Sequence, residues 1–174
     1  MNTPTDRLLK NYSNARRSWE SWCFMVNFNL EKPKPEVVEY ILKNELLSHL
    51  RYLAFKDFHI EMYKIIKDSS RNSDNIFSLL KKRQTQDTSK YEIIDKNLGE
   101  LIKNTTAINL ICDTRDKFYA HLDKNHESYN GIRLSVPMAL NCFIAVENAI
   151  MTLTSREILQ SHLDNIPSRD DLHL

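Results

Sequence analysis

Arg115 is the residue whose type fits its place least. The apolar residues Ile94, Leu98, Leu101, Ile108, Cys112, Tyr119 and Leu122 step by threes and fours along one helix face, and Ile111 and Phe118 widen that stripe. At roughly 100° per residue, Arg115 lies within about 60° of Ile108, Ile111, Cys112, Phe118, Tyr119 and Leu122. A guanidinium cannot shed its proton. On a buried face it needs an acid, or that face meets something besides its own core. The plain structural reading is a salt-bridged or snorkelling arginine. Six residues on stands His121, about 120° around a straight helix and about 9 Å along it. One ideal helix does not let the two side chains converge; a break near Ala120, or a second subunit, does.

Other chemistry-bearing residues carry less. Between 64 and 90, the cations Lys64, Lys67, Arg71, Lys81, Lys82, Arg83 and Lys90 meet only Asp68, Asp74 and Asp87. A basic run of this kind supplies phosphate contacts to a nucleic acid, or is simply a solvated helix face. His49 and His59 are ten residues apart, which is about 80° and about 15 Å on a helix, so they do not share a metal ion. His126 falls in a loop and reads as a solvated residue. No H-E-x-x-H, carboxylate cluster or C-x-x-C pair occurs, so no metal is expected. Gly99 and Gly131 are the only glycines, which excludes a phosphate-cradling loop or a dinucleotide fold, and no cofactor is expected. Cys23, Cys112 and Cys142 are widely spaced in apolar segments and read as small buried hydrophobes in a reducing compartment.

Long helices must position these residues. The 174-residue chain holds 2 Gly and 5 Pro, with 41% hydrophobic and 27% charged residues and a formal net charge of +1. It lacks the glycine-bearing turns of a sandwich or barrel, and its apolar content with near-neutral charge excludes disorder. One domain of this length buries a core without a metal or disulfide staple. The expectation is an all-α, up-and-down bundle of about four long helices plus one short helix.

The first helix is expected over 13–30, with Trp19 and Trp22 packing it onto the rest, and ends before Lys32-Pro33-Lys34-Pro35. A second starts at Pro35 and meets no Gly or Pro before Ser69, long enough for one helix of over about 30 residues. A short helix follows at 75–83, capped by Ser73 or Asp74. Ser89-Lys90-Tyr91-Glu92 matches a capping box and opens the helix over 90–122. A loop ending at Asn130-Gly131 leads to the last helix, with Ser135 as cap and Pro137 in its first turn, fading before Pro167. The organisation is then an N-terminal helix and linker over 1–34, the bundle over 35–164 and a loose tail over 165–174. The opening residues carry no apolar core of a signal peptide. The longest uncharged stretch, 134–146, is short of the roughly 20 residues of a span. A cytoplasmic protein with no membrane association is expected.

Arg115-Asp116-Lys117-Phe118-Tyr119-Ala120-His121-Leu122-Asp123 resembles the signature of the HEPN superfamily (higher eukaryotes and prokaryotes nucleotide-binding domain): an arginine, a polar residue directly after it, then a histidine a few positions on. The string R-D-K-F-Y-A-H-x-D looks most like the abortive-infection (AbiU-like) branch of bacterial HEPN proteins. The resemblance spans roughly 35–163. It implies a bundle that dimerises about a two-fold axis, so that both motifs meet, and metal-independent endoribonuclease activity in a toxin or antiviral effector. On that reading His121, with an unperturbed pKa near 6.5, serves as base or acid. Arg115 stabilises the extra charge on phosphorus, and Asp116 orients His121 or Arg115. Lys117, Asp123, Lys81, Lys82 and Arg83 are the candidate substrate contacts. The implied partners are RNA, a second copy of the chain and a nucleotidyltransferase-type antitoxin. The HEPN toxins modified by such antitoxins carry a tyrosine two residues after the histidine, where this chain has Asp123. The alternative is a non-catalytic HEPN module that binds nucleotide, RNA or a protein partner.

Overall fold

Asparagine and serine side chains, more than glycine or proline, set the helix boundaries. The computed structural model describes residues 3–26, 35–67, 74–119 and 134–164, and all regular structure among them is helical. Helix α1 (Pro4–Met25) begins well before residue 13. Thr3 Oγ1 accepts from the Asp6 amide at 3.1 Å and the Asp6 carboxylate accepts from the Thr3 amide at 2.8 Å. This reciprocal capping box, with Pro4 in the first turn, fixes the start.

The single helix expected from Pro35 is two helices, α2 (Pro35–Lys43) and α3 (Glu45–Ile66). Asn44 turns extended between them, and its side chain accepts from the Leu47 amide at 3.0 Å to cap α3. Helix α4 (Ile76–Gln86) is capped by Asn75, not by Ser73 or Asp74, through a 2.9 Å bond from the Ser78 amide. The capping box expected at Ser89 and Glu92 does not form. Ser89 Oγ donates instead to Asp87 Oδ1 at 2.5 Å inside the 3-10 turn Thr88–Lys90, and α5 (Tyr91–Lys103) starts with no side-chain cap.

The helix expected over 90–122 is also broken. Asn104 ends α5, its Nδ2 donating to the Glu100 carbonyl at 2.9 Å, and α6 (Thr105–Thr114) follows. The chain then widens into a π turn, Arg115–Tyr119. Helix α7 (Val136–Leu153) starts as the sequence predicts, with Ser135 accepting from the Met138 amide at 3.4 Å and a proline in the first turn. It does not run on. Thr154 leaves helical backbone, and Ser155 caps a separate helix α8 (Arg156–Leu163).

Helix α1 lies along α3, while α7 packs on α4, α5, α6 and α8. Trp19 joins the two groups: its ring centroid is 5.0 Å from that of Phe58 on α3 and 5.9 Å from that of Phe143 on α7. Trp22 packs on Phe55 at 4.8 Å. The fully buried rings, Trp19, Phe58 and Phe143, each contribute roughly 1.5–3 kcal/mol. By length and composition α7 could cross a membrane, with 44% of its 18 residues buried in the fold. The inward Ala139, Cys142, Phe143, Val146, Ala149 and Ile150 explain much of that apolar character. Across the α1–α7 seam, Arg16 meets Glu20 at 3.1 Å and Glu147 at 3.7 Å, and the buried Tyr12 hydroxyl also donates to Glu147. Burial, then the charge of Glu147, pushes that hydroxyl well above its usual titration range. Helix α3 is divided along its length. Phe58, Met62, Ile65 and Ile66 in its second half are buried, whereas Leu46, Leu50 and Tyr52 in its first half are exposed.

Candidate functional site

The buried face of α6, formed by Ala107, Ile108, Ile111 and Cys112, anchors that helix in the core. Directly after it, the π turn closes one residue wider than an α turn. Such turns are uncommon and recur at functional positions. This turn packs on α3 and carries Arg115, Asp116 and Lys117.

Arg115 Nη1 donates to Asp116 Oδ1 at 2.8 Å. Lys67, just past the end of α3, brings its Nζ within 3.6 Å of the other oxygen, Asp116 Oδ2. Beneath both cations lies the Tyr63 ring, 4.4 Å from the Arg115 guanidinium carbon and 5.5 Å from Lys67 Nζ. One carboxylate is therefore shared by two cations that both meet one aromatic ring. The Arg115 side chain is 34% exposed, so the apolar stripe does not bury it. The acid beside it is its own sequence neighbour, Asp116. At this exposure the ion pair is worth under about 1 kcal/mol and the ring contact about 0.5–1 kcal/mol. The cluster positions charge more than it stabilises the fold.

The titratable groups around it are poor bases at neutral pH. Burial, then the charge of Asp116, raises the Tyr63 hydroxyl above its usual range. Burial lifts the Cys112 thiol to about 11 and the Tyr119 hydroxyl to about 12. Burial also holds His59 down at about 4. Its Nδ1–H donates to the Phe55 carbonyl at 2.8 Å, and its ring packs against Phe55, Phe58 and Tyr119. His59 is a neutral core histidine. Among the described residues, no group of three His, Cys, Asp or Glu side chains could hold a metal ion.

The remaining predicted residues divide. Lys117 stands on the same turn and reaches back to Asp113 at 3.5 Å. His121 and Asp123, like His126, lie outside the described residues. Lys81, Lys82 and Arg83 belong to α4, which packs on α5 and α7 rather than on the Arg115 turn. The basic run is also partly neutralised, by Glu61 and Asp116 from outside it and by its own Asp87: Lys64 by Glu61 at 2.5 Å, Arg83 by Asp87 at 3.4 Å, and Lys67 by Asp116. Tyr63 is the site residue that sequence reasoning missed, and Lys67 is one cation of the run that reads either as phosphate contacts or as a solvated helix face. Their spacing of four on α3 puts them on one face, but nothing in the sequence directs that face to Arg115. No protein-family model, curated protein or solved structure matches the chain.

Proposed function

We propose that the chain is a metal-independent endoribonuclease of the HEPN type, a cytoplasmic toxin or antiviral effector that works as an up-and-down helical bundle paired about a two-fold axis. The observation that carries the reading is the state of Arg115: held by Asp116 and Tyr63, one-third exposed, with only Nη1 engaged among the described residues. A guanidinium fixed in this way presents its free donors as a fork for phosphate oxygens. In the proposed reaction the RNA 2′-oxygen attacks the adjacent phosphorus, the P–O5′ bond breaks, and a 2′,3′-cyclic phosphate and a free 5′-hydroxyl are left. A neutral His121 takes the 2′-hydroxyl proton, and a protonated His121 of the partner subunit gives one to the departing 5′-oxygen. Arg115 stabilises the charge that accumulates on phosphorus between these events.

The pairing is supported by surface next to the turn. The Tyr119 ring centroid lies 6.1 Å from that of Tyr52, and Tyr52, Leu46 and Leu50 leave an exposed apolar stretch on α3. Such a surface suits a second copy whose own turn faces back. The test is RNA incubated with the full-length protein in EDTA, with product ends identified and the oligomer measured by sedimentation. Cyclic-phosphate ends, lost in His121→Ala, and a dimer at micromolar concentration are expected. Strict dependence on added magnesium or manganese, or cleavage undiminished in both Arg115→Ala and His121→Ala, overturns the mechanism.

A further inference from the structure

A cavity of about 260 Å³ opens beside the Arg115 turn, between the end of α3, the start of α4 and the length of α6. Buried Ile66, Ile108 and Cys112 and half-buried Phe77 form its inner lining, while Thr105 and Asn109 are exposed around it. One further lining residue belongs to the Arg115 cluster, and another contacts the turn that carries it. Lys67 is the residue 3.6 Å from Asp116, and Asp113 is the residue 3.5 Å from Lys117. The cavity and the cluster therefore share a wall. An apolar interior with a few polar groups at its edge is the usual make-up of a small-molecule site, and this one is below the volume that a drug-sized ligand fills. Asn109 is the uncommitted polar group: its carboxamide both donates and accepts, and among the described residues it has no partner.

We infer that this cavity receives one nucleobase of the RNA whose neighbouring phosphate rests on Arg115, and that Asn109 reads the edge of that base. The inference rests on the ribonuclease reading of Arg115. A nucleobase has the required shape, two apolar faces for Ile66, Phe77 and Ile108 and a polar rim for a carboxamide. Lys67 at the shared wall suits the phosphate that follows the base. A carboxamide complements adenine through two hydrogen bonds, so adenine is the expected base.

The test measures kcat/KM on short RNAs that differ only in the base beside the cut, for the wild-type protein, Asn109→Ala and Thr105→Trp. Asn109 and Thr105 are exposed, so both variants should fold, which thermal melting checks. Adenine is expected to be favoured by about 10-fold or more, the range of a good two-bond base contact, and Asn109→Ala should erase the preference. Thr105→Trp, which crowds the opening, should slow cleavage of the favoured RNA by a similar factor. Equal rates on all bases, or a preference that both folded variants keep, overturns the inference. A second arm titrates ¹⁵N-labelled protein with adenosine monophosphate and reads amide shifts over 66–67, 77 and 105–113. Shifts there without RNA cleavage keep the base cavity and remove the ribonuclease reading. Cleavage without shifts or preference does the reverse, and the absence of both removes both.

Discussion

Arg16 and Arg115 are exposed to similar degrees, 28% and 34% of the side chain, and each lies over an aromatic ring, Phe143 at 5.2 Å and Tyr63 at 4.4 Å. They differ in where their acids come from. Arg16 pairs with Glu20 one turn along its own helix and with Glu147 on α7, where Tyr12 also donates, so its charge ties two helices together. Arg115 pairs with the adjacent residue, Asp116, on a π turn at the end of α6. That ion pair lies within one turn, and the cluster reaches α3 through the Tyr63 ring and the 3.6 Å contact of Lys67 with Asp116. The same side-chain chemistry gives a strut in the first region and a presented cation in the second.

The sharpest way to break that comparison is to delete both arginines in turn. Arg115→Ala should lower RNA cleavage by about 10²-fold or more, the range of a lost charge-stabilising donor, with the melting temperature little changed. Arg16→Ala should do the opposite. Glu20 is only 5% exposed, and removing the guanidinium 3.1 Å from it should cost about 2–3 kcal/mol, discounted for the partial exposure of Arg16. That corresponds to a fall of roughly 5–10 °C in melting temperature, with cleavage per folded molecule retained. If Arg115→Ala melts as early as Arg16→Ala, Arg115 is a strut as well and the distinction fails.

Acidification should sharpen the contrast from another side. His59 packs on Tyr119 of the Arg115 turn and is held at about 4 by burial, against an ordinary value of 6.5. Between those values the unfolded chain binds the proton and the folded chain does not, so stability rises with pH across the window. Lowering the pH from 7 to 5 should cost about 2 kcal/mol through this residue. His59→Leu should flatten that slope in denaturant melts. A slope that persists in His59→Leu assigns the acid sensitivity to another group.

The helical class was legible because two glycines cannot build a turn-rich sheet protein, and the start of α7 was legible because Ser135 and the proline behind it act locally. The breaks at Asn44 and Asn104 were not. Asparagine favours caps over helix interiors, but others such as Asn97 stay inside a helix, and tertiary packing selects which one ends it. The Ser89 box was lost to a competitor two residues upstream, Asp87, which takes the serine hydroxyl first. In the candidate site, periodicity put Arg115 on an apolar face that would bury it, whereas its side chain is 34% exposed and pairs with the adjacent Asp116. Tyr63 and Lys67 were hidden because their face of α3 looks like any other half-buried helix face. Only the fold turns it toward the π turn.

The smallest effect separates what each ring does beneath its arginine. Phe143 is buried at the junction of α1, α3 and α7, so trimming it damages the core as well as the Arg16 contact. Tyr63 is half-buried, and its ring chiefly backs Arg115 and Lys67. Tyr63→Leu removes the aromatic face, a loss of about 0.5–1 kcal/mol at a partly exposed site, or roughly a two- to fivefold fall in kcat/KM. Tyr63→Phe keeps the face and loses only the hydroxyl, and should cleave at close to the wild-type rate. The melting temperature should stay level in both, because neither change opens a sealed cavity. A Tyr63→Leu protein that cleaves normally would show that Asp116 alone orients the guanidinium. A Tyr63→Phe protein as slow as Tyr63→Leu would move the effect from the ring to the hydroxyl beside Asp116.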